Sequence, residues 1–275
     1  MTARLALIAG QGDLPAALYG ALDAPPMVCA VMGHEPNSLT PDWIFRLETL
    51  GSLINDLAAG EVSEVCLCGS IRRPQIDPAA IDAATFPLIP ALQAALAAGD
   101  DGALRAVMAL FEERGLKIRA AHEIAPSLLA PLGILGAMPS DPSLDADLAA
   151  ARLALQDMGS GDIGQAVVAR DGKVIAREDA RGTDAMLADL SQPDSDTGDP
   201  RGKGGVLIKA PKPGQDLRAD LPTIGPDTAT GAQGAGLRGI AVAAGATLVL
   251  DRASLAHACD KRGLFLCGVD ACMFS

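Results

Sequence analysis

The residues that could do chemistry are concentrated between Lys209 and Ile240, in the segment KAPKPGQDLRADLPTIGPDTATGAQGAGLRGI. This segment follows neither a helical nor a strand period. The run GVLIKAP at its start predicts a buried strand that ends at Pro211 and Pro213. Charged side chains gathered in one irregular loop can clamp a polyanion and hold a metal ion. An ordinary solvated loop has the same composition, so both interpretations stay open. The charged residues are Lys209, Lys212, Asp216, Arg218, Asp220 and Asp227.

Length and composition narrow the class of protein. The 275 residues predict two domains, and an apolar fraction of 49% with 20% charged residues is typical of a folded globular chain. The formal net charge of −12 and the scarcity of aromatic residues argue against a nucleic-acid binder. The six cysteines form no C-x-x-C pair, so we interpret them as buried hydrophobes in a reducing compartment. The amino terminus has too few apolar residues for a signal peptide, and we expect a cytosolic protein.

The amino terminus, LALIAGQGDLP, predicts a strand, a glycine turn and a helix. Gly10 and Gly12 permit a close backbone approach, and Asp13 is placed to cap the helix. An anion can bind at such a helix start. The pattern is G-x-G-x-x-P, which lacks the third glycine of the dinucleotide fingerprint, so NAD binding is disfavoured.

Two further groups of polar residues follow predicted strands. After EVCLCG come Gly69, Ser70 and the Arg72–Arg73 pair, at the edge where open α/β sheets bind ligands. The arginines could bind a phosphate, although a solvated pair explains them equally well. His122 follows another strand end, where a structural role competes with a functional one.

The alternation of strands and helices predicts an α/β protein: a Rossmann-like parallel-sheet domain at 1–130, a linker at 131–142 and a distinct α/β domain at 143–275. In the first domain we expect residues 44–59 to be largely helical. In the second we expect a hairpin over 165–177 that closes at Asp171–Gly172, and a helix in GIAVAAG, residues 239–245. Capping of a helix is the simplest role for Thr183 and Asp184.

An ordered set of motifs resembles the LpxI family of UDP-2,3-diacylglucosamine pyrophosphatases. It comprises LIAGQGDLP, CGSIRRP, AHE, DIGQAVV, RGTDAML, KAPKPGQDLRADLPTIGPDT and LFLCGVD, and it covers nearly the whole chain. The resemblance implies a cytosolic enzyme of lipid A biosynthesis in Gram-negative bacteria. Such an enzyme hydrolyses UDP-2,3-diacylglucosamine to 2,3-diacylglucosamine 1-phosphate (lipid X) and UMP. Water attacks the α-phosphorus with help from Mg²⁺.

The resemblance implies that Asp220, the acid before LPTIG, is the leading catalytic candidate. Its companions in the candidate catalytic set are Lys209, Lys212 and Gln215. Mg²⁺ prefers oxygen ligands, and its candidates are Asp220, Asp184 and Glu178, with the choice among them open. Arg181 departs from the family pattern, in which we expect an acid. The candidate substrate-binding residues are Gly10, Gly12, Asp13, Gly69, Ser70, Arg73, His122, Gln165, Thr183, Arg218 and Thr223.

Two other functions stay open at this point. One is a dinucleotide-dependent oxidoreductase, and the other is a non-catalytic sensor that binds a nucleotide sugar without cleaving it. The expected partners are the lipid-linked nucleotide sugar, the surface of the inner membrane through peripheral contact, and a second copy of the chain. No nucleic-acid partner is expected, because the net charge is strongly negative.

Overall fold

The chain divides into two compact units. The computed structural model describes residues 4–71, 76–97, 100–136, 143–161 and 163–274. The first unit comprises Met1–Ser127 together with Asp216–Asp220, and the second comprises Leu128–Gln215 and Leu221–Ser275. The division predicted from the sequence placed 216–220 in the second domain. The difference arises because these residues make their contacts with the first unit, as described below.

The first unit is built on a five-stranded sheet in which the paired strands are all parallel. The strand order is β3-β2-β1-β4-β5, which is the order of the Rossmann fold and confirms the predicted fold class. Crossover connections between parallel strands require intervening segments, and helices supply most of them here. The strands are β1 (Arg4–Ala9), β2 (Met27–Val31), β3 (Trp43–Phe45), β4 (Val62–Cys68) and β5 (Lys117–Ile118).

The helices of the first unit pack on this sheet around a core that contains Ile8, Val31, Leu53 and Phe111. The prediction of a helix over residues 44–59 is wrong at its start. Residues Trp43–Phe45 form the edge strand β3, because they pair in parallel with β2. The helices are α1 (Leu14–Gly20), α2 (Leu50–Ala59), α3 (Ile89–Ala97), α4 (Asp100–Glu112) and α5 (Ala121–Ile124).

The second unit has a mixed six-stranded sheet of order β6-β13-β11-β9-β7-β8 and a separate two-stranded sheet, β10-β12. The central strands β13, β11 and β9 are parallel, and the outer strands pair antiparallel. The predicted hairpin is confirmed: β7 and β8 join at Asp171 and Gly172, both with positive φ. The strands are β6 (Gly133–Ile134), β7 (Ala166–Arg170), β8 (Lys173–Arg177), β9 (Val206–Lys209), β10 (Thr223–Ile224), β11 (Gly239–Ala244), β12 (Leu248–Val249) and β13 (Phe265–Asp270).

Helices cover both faces of the larger sheet. Leu207 and Val242 point into one core, whereas Ile208 and Ala241 point into the other, as expected from the alternation of side chains along a strand. The core containing Leu207 includes residues of α7, α8 and α9, and the other core includes residues of α6. The second unit is therefore a three-layer α/β structure. Its helices are α6 (Leu144–Ser160), α7 (Thr183–Leu190), α8 (Pro226–Gly234) and α9 (Arg252–Lys261).

The prediction of a helix in GIAVAAG is wrong, because these residues form β11 in the middle of the sheet. A strand buried on both faces is apolar at every position, and periodicity cannot then distinguish it from a buried helix. Gly239 has a specific packing role at its start. A Cβ at this position would lie 2.4 Å from the ring of Phe265 on the neighbouring strand.

The predicted linker also differs from the structure. Gly133 and Ile134 form β6, which pairs with β13 in the larger sheet, so the beginning of residues 131–142 belongs to the second unit. Residues 137–142 lie outside the described part of the chain. Five cysteines are buried, as predicted, and Cys272 is exposed; burial raises the pKa of Cys29 to about 12. Among the described residues, no helix combines the length and apolarity needed to cross a membrane.

Candidate functional site

The carboxyl end of β9 carries a lysine that is held by two hydrogen bonds. The Lys209 Nζ donates to Thr183 Oγ1 at 2.9 Å and to the carbonyl oxygen of Thr223 at 3.1 Å. Thr183 is the first residue of α7, and Thr223 begins β10. Three elements of the second unit therefore meet at this ammonium group, and each contributes one of the candidate residues.

A carboxylate continues the same series. The Thr183 hydroxyl donates to Glu178 Oε1 at 2.8 Å, and the backbone N–H of Gln165 donates to Glu178 Oε2 at 2.6 Å. Because the hydroxyl accepts from Lys209 and donates to Glu178, the side chains form an ordered series. We call Lys209, Thr183 and Glu178 the Lys–Thr–Glu array. It places a positive charge at the carboxyl end of β9. The hydrogen bonds through Thr183 to Glu178 fix the orientation of the ammonium group.

The local sequence explains the geometry of the array. Gly182, with a φ of 88°, occupies the N-cap of α7, so Thr183 and Asp184 are the first two helical residues and neither is the cap. The expectation of capping is wrong, because glycine adopts the required positive φ without strain. Thr183 is buried and does not cap the helix. Its hydroxyl bridges Lys209 and Glu178 instead.

Gly164 brings the chain close to Glu178 on the other side. It has a φ of 67°, and a Cβ there would lie 2.5 Å from the Glu178 carbonyl oxygen. This close approach places the following N–H, that of Gln165, within hydrogen-bonding distance of the Glu178 carboxylate. The contribution of Gln165 that the structure shows is therefore made by its backbone.

Lys212 and Gln215 form a turn beyond the strand end. The backbone N–H of Lys212 donates to Gln215 Oε1 at 2.9 Å, and the Gln215 N–H donates to the Lys212 carbonyl oxygen at 3.2 Å. The Lys212 side chain is buried despite its charge. Pro213 packs over Gly159 of α6, where a Cβ would lie 2.8 Å from the proline ring. Hydrogen bonds and packing therefore fix this turn, and it is not an ordinary solvated loop.

Arg218 and Asp220 lie on the segment that belongs to the first unit. The Arg218 guanidinium is bound by two carboxylates: Nη2 donates to Asp216 Oδ2 at 2.8 Å and Nη1 donates to Glu112 Oε1 at 2.7 Å. Hydrogen bonds from Arg218 hold the pKa of the Asp216 carboxyl below its ordinary value. Asp220 is partly buried, two residues further along. The sequence does not indicate Glu112 as a partner of Arg218, because the two residues are far apart along the chain.

The amino-terminal glycines are explained by packing within the first unit. The N–H of Gln11 donates to the Ser70 carbonyl oxygen at 2.9 Å, and the Ser70 N–H donates back to Gln11 at 2.8 Å. A Cβ at Gly10 would lie 2.5 Å from the Ser70 oxygen, and one at Gly69 would lie 2.7 Å from Gly10. The turns after β1 and β4 are thus bonded to each other at the point where a Rossmann sheet usually binds a ligand.

Gly12 differs from these two glycines. It has a φ of 95°, and a Cβ there would meet no atom of the described residues within 4 Å, so these residues leave room for a ligand. Its N–H donates to Asn37 Oδ1 at 3.2 Å. Asp13 is at the N-cap of α1, but its side chain makes no capping hydrogen bond. The predicted capping role is therefore wrong, and the exposed carboxylate of Asp13 is left for another use.

The last two candidates of the first unit are His122 and Arg73. His122 lies on α5, and its Nδ1 is buried without a hydrogen-bond partner among the described residues. A buried ring nitrogen without a partner is costly, and a bound ligand or water would satisfy it. Arg72 and Arg73 lie outside the described residues, so their predicted phosphate contact stays a prediction.

The candidate metal ligands are not gathered into one cluster. Within the described ranges, no group of three or more histidine, cysteine or acidic side chains is arranged to hold a metal ion. Both oxygens of Glu178 already accept hydrogen bonds, whereas Asp184 is exposed in the first turn of α7. Mg²⁺ often binds through one or two protein carboxylates and water, so Asp184 has the most suitable environment of these acids in the second unit.

These features define a class of protein: a Rossmann-type unit joined to a three-layer α/β unit with the Lys–Thr–Glu array at its sheet edge. Residues 4–128 match the LpxI N-terminal domain, and residues 131–267 match the LpxI C-terminal domain. A relative from Caulobacter vibrioides, named UDP-2,3-diacylglucosamine pyrophosphatase LpxI, is 39% identical over an alignment of 275 positions that covers 97% of this chain and 98% of that protein. The chain belongs to the LpxI family.

Proposed function

We propose that this chain is a UDP-2,3-diacylglucosamine pyrophosphatase that releases 2,3-diacylglucosamine 1-phosphate and UMP. The substrate is the one in the name of the Caulobacter relative. The observation that carries the proposal is the Lys–Thr–Glu array, which fixes an ammonium group at the carboxyl end of a central strand. Hydrolysis of a diphosphate requires a fixed positive charge near the phosphoryl oxygens, since that charge stabilises the transition state.

Lys209 would supply this charge. An ammonium group has three N–H donors, and two of them bind Thr183 and Thr223. The third can bind a phosphate oxygen without disturbing the array. Glu178 supports Lys209 through Thr183, so that the ammonium group does not have to reorganise during the reaction. Lys212 and Gln215 are proposed to assist from the neighbouring turn.

Asp220 would orient the attacking water and accept its proton. The water attacks the α-phosphorus, the bond between that phosphorus and the bridging oxygen breaks, and the bridging oxygen leaves with the lipid phosphate. A carboxylate within hydrogen-bonding distance of the water is the simplest base for this step. Asp220 lies on a short irregular segment, which the backbone and side-chain contacts of Asp216 and Arg218 hold in place.

Mg²⁺ is the proposed cofactor, and its candidate ligands are Asp220, Asp184 and Glu178. All three offer oxygen donors, as this ion prefers. When bound, Mg²⁺ would neutralise negative charge on the diphosphate. Removal of divalent ions with EDTA should abolish turnover, and added Mg²⁺ should restore it. Asp184→Asn should raise the Mg²⁺ concentration needed for half-maximal turnover, whereas Asp189→Asn, an exposed acid on the same helix that pairs with Arg181, should not.

The first unit is proposed to bind part of the substrate. Gly12 has space for a ligand, and Asp13 and Ser70 offer polar groups just after the ends of β1 and β4. The Nδ1 of His122 has no hydrogen-bond partner within the described part of the chain. Gly10 and Gly69 would contribute by allowing the close turn. The two acyl chains of the substrate imply peripheral contact with a membrane surface, and a homodimer stays a proposal.

The decisive experiment incubates the purified chain with UDP-2,3-diacylglucosamine and Mg²⁺ and identifies both products by mass spectrometry. UMP and the lipid 1-phosphate should appear in equal amounts. In ¹⁸O-water, the label should enter UMP and leave the lipid phosphate unlabelled, because water attacks the α-phosphorus. Label in the lipid product would assign the attack to the other phosphorus. Binding of the substrate without any product would instead identify a sensor protein.

A further inference from the structure

Helix α4 carries three charged side chains on one face. Asp101, Arg105 and Glu112 are spaced by four and seven residues, which on a helix with ~3.6 residues per turn places them within a narrow stripe. Arg105 Nε donates to Asp101 Oδ2 at 2.6 Å. Glu113, the residue after Glu112, lies off this stripe and is exposed. The stripe belongs to the first unit, as does the segment Asp216–Asp220.

The stripe binds this segment at two of its three charged residues, Asp216 and Arg218. The backbone N–H of Asp216 donates to Asp101 Oδ1 at 3.1 Å. Arg218 donates to Glu112 Oε1 at 2.7 Å, and Arg105 Nη1 lies 3.7 Å from Asp216 Oδ2. Arg218 also grips Asp216 through its backbone N–H and its guanidinium, which closes a compact turn.

Apolar packing completes the attachment. Ala219 packs against the core of the first unit, which includes Met108 and Phe111 of α4. The segment has no helix or strand of its own, so side-chain and backbone contacts such as these hold it in place. Its last residue is Asp220. Whatever fixes Arg218 therefore also limits the positions that the Asp220 carboxylate can take.

We infer that Glu112 and Asp101 are positioning residues, which hold the segment carrying Asp220 against α4 through Arg218 and the Asp216 backbone. The inference rests on the proposed function, because it requires Asp220 to act in catalysis. It also assigns Arg218 a different duty from phosphate binding: two carboxylates already neutralise its guanidinium. Active-site geometry that is held by supporting side chains is sensitive to small displacements, so loss of an anchor should lower turnover.

The variant Glu112→Gln removes one of the two carboxylate charges that bind Arg218 and preserves the shape of the Glu112 side chain. Glu112 is 44% exposed, so the variant should fold with a melting temperature close to that of the wild type. We expect kcat to fall at least about threefold with little change in KM, because the anchor acts on the position of the carboxylate and not on substrate affinity. Glu113→Gln is the matched control and should leave kcat and KM unchanged.

Hydrogen exchange provides a readout that does not depend on activity. The N–H groups of Asp216 and Arg218 both donate hydrogen bonds, to Asp101 and Asp216 respectively. Their exchange should be faster in Glu112→Gln than in the wild type or in Glu113→Gln. Asp101→Ala should accelerate it further, and Asp101→Asn, which retains an acceptor oxygen, should restore part of the protection.

The outcomes separate this inference from the proposed function. Unchanged exchange in Glu112→Gln overturns the anchoring role, whether or not the wild type hydrolyses the substrate. Faster exchange with unchanged kcat overturns the positioning role. A lower KM in Glu112→Gln would show that Arg218 had been released to bind phosphate, and it would overturn the assignment of Arg218. If Arg218→Met and the double variant with Glu112→Gln have equal kcat, Glu112 acts through Arg218, as inferred; independent losses that multiply would contradict it.

Discussion

At the scale of single residues, Asp220 is the side chain on which the proposed chemistry depends most. Asp220→Ala should lower kcat by about 10²-fold or more, the usual scale for a positioned acid or base, while substrate binding is retained. Steady-state kinetics and equilibrium binding of the substrate measure the two effects separately. Asp227→Ala is the control, since Asp227 is an exposed residue in the first turn of α8. Near-native turnover of Asp220→Ala would move the catalytic role to another carboxylate.

The Thr183 hydroxyl links Lys209 to Glu178, and its removal tests the array. Thr183→Val keeps the shape of the side chain but removes one hydrogen bond from each of two partly buried groups, Lys209 and Glu178, which keep their bonds to Thr223 and Gln165. The loss should cost about 1–3 kcal/mol of unfolding free energy. Turnover should fall as well, because Lys209 loses its fixed orientation. Thr183→Ser retains the hydroxyl and should keep most of the turnover. The array would have no catalytic part if the two variants differed in stability but had equal kcat.

Glu48 gives the first unit a pH-dependent contribution to its stability. Arg46 and the backbone N–H of Asp77 bind its buried carboxylate and lower the pKa from 4.5 to about 2. Because the folded-state pKa is below the unfolded value, this stabilisation is present above about pH 4.5 and is lost as the pH falls towards 2.

Glu48→Gln should therefore be less stable than the wild type at pH 7, by about 1–3 kcal/mol, and the difference should shrink below pH 4.5. Urea denaturation monitored at several pH values measures this difference. Asp56→Asn, at an exposed position on α2, is a suitable control. Its free energy of unfolding should differ from that of the wild type by the same amount at every pH. A difference that stayed constant from pH 7 to pH 3 would contradict the assignment.

The sequence identified the main residues of the array but not their geometry. Lys209, Thr183, Glu178, Gln165 and Thr223 were all candidates, because they lie in or beside the motifs that resemble the LpxI family or offer an oxygen ligand to Mg²⁺. Sequence spacing could not show that they share one hydrogen-bonded series, since residues as distant as Thr183 and Lys209 are joined only by the order of the strands. It also gave Thr183 the wrong local role, because a glycine took the cap.

At the scale of elements, β11 shows what limited the prediction of the fold. Strands with turns on both sides, such as β1, β4 and the β7–β8 hairpin, could be predicted from periodicity and turn residues. The sequence of β11 contains only glycine, alanine, isoleucine and valine, and it is buried on both faces. Its conformation depends on the parallel pairing with β9 and β13, which local sequence does not encode.

Two glycine substitutions should act in opposite directions on the second unit. Gly239→Ala places a methyl group against the Phe265 ring and should destabilise the protein by about 1–3 kcal/mol, as overpacking does. Gly234→Ala, at the end of α8, places a methyl group 4.0 Å from the Ser191 Cβ, the nearest atom among the described residues, and should stabilise the protein by about 0.5–1 kcal/mol. Thermal unfolding measures both. A neutral Gly239→Ala would show that β11 and β13 adjust more easily than their packing indicates.

At the scale of the whole molecule, the formal net charge of −12 sets how the chain meets a membrane. Anionic lipid surfaces repel an acidic protein, and the described helices provide no membrane span. We expect no cosedimentation with vesicles rich in phosphatidylglycerol at low salt. Binding should appear when UDP-2,3-diacylglucosamine is added to neutral vesicles, because the ligand then provides the contact. Tight binding to anionic vesicles without substrate would contradict this expectation.

Asp216–Asp220 lies in the first unit, whereas the chain on both sides of it lies in the second. A gene split after Ser127 would therefore place Asp101 and Glu112 in one polypeptide and their partners, Asp216 and Arg218, in the other. In a chimaera that joins the two halves of different relatives, these contacts would likewise form between residues of different origin. Such a chimaera would keep the contacts only if one parent's residues at 101 and 112 could bind the other parent's residues at 216 and 218. These four positions should therefore be exchanged together.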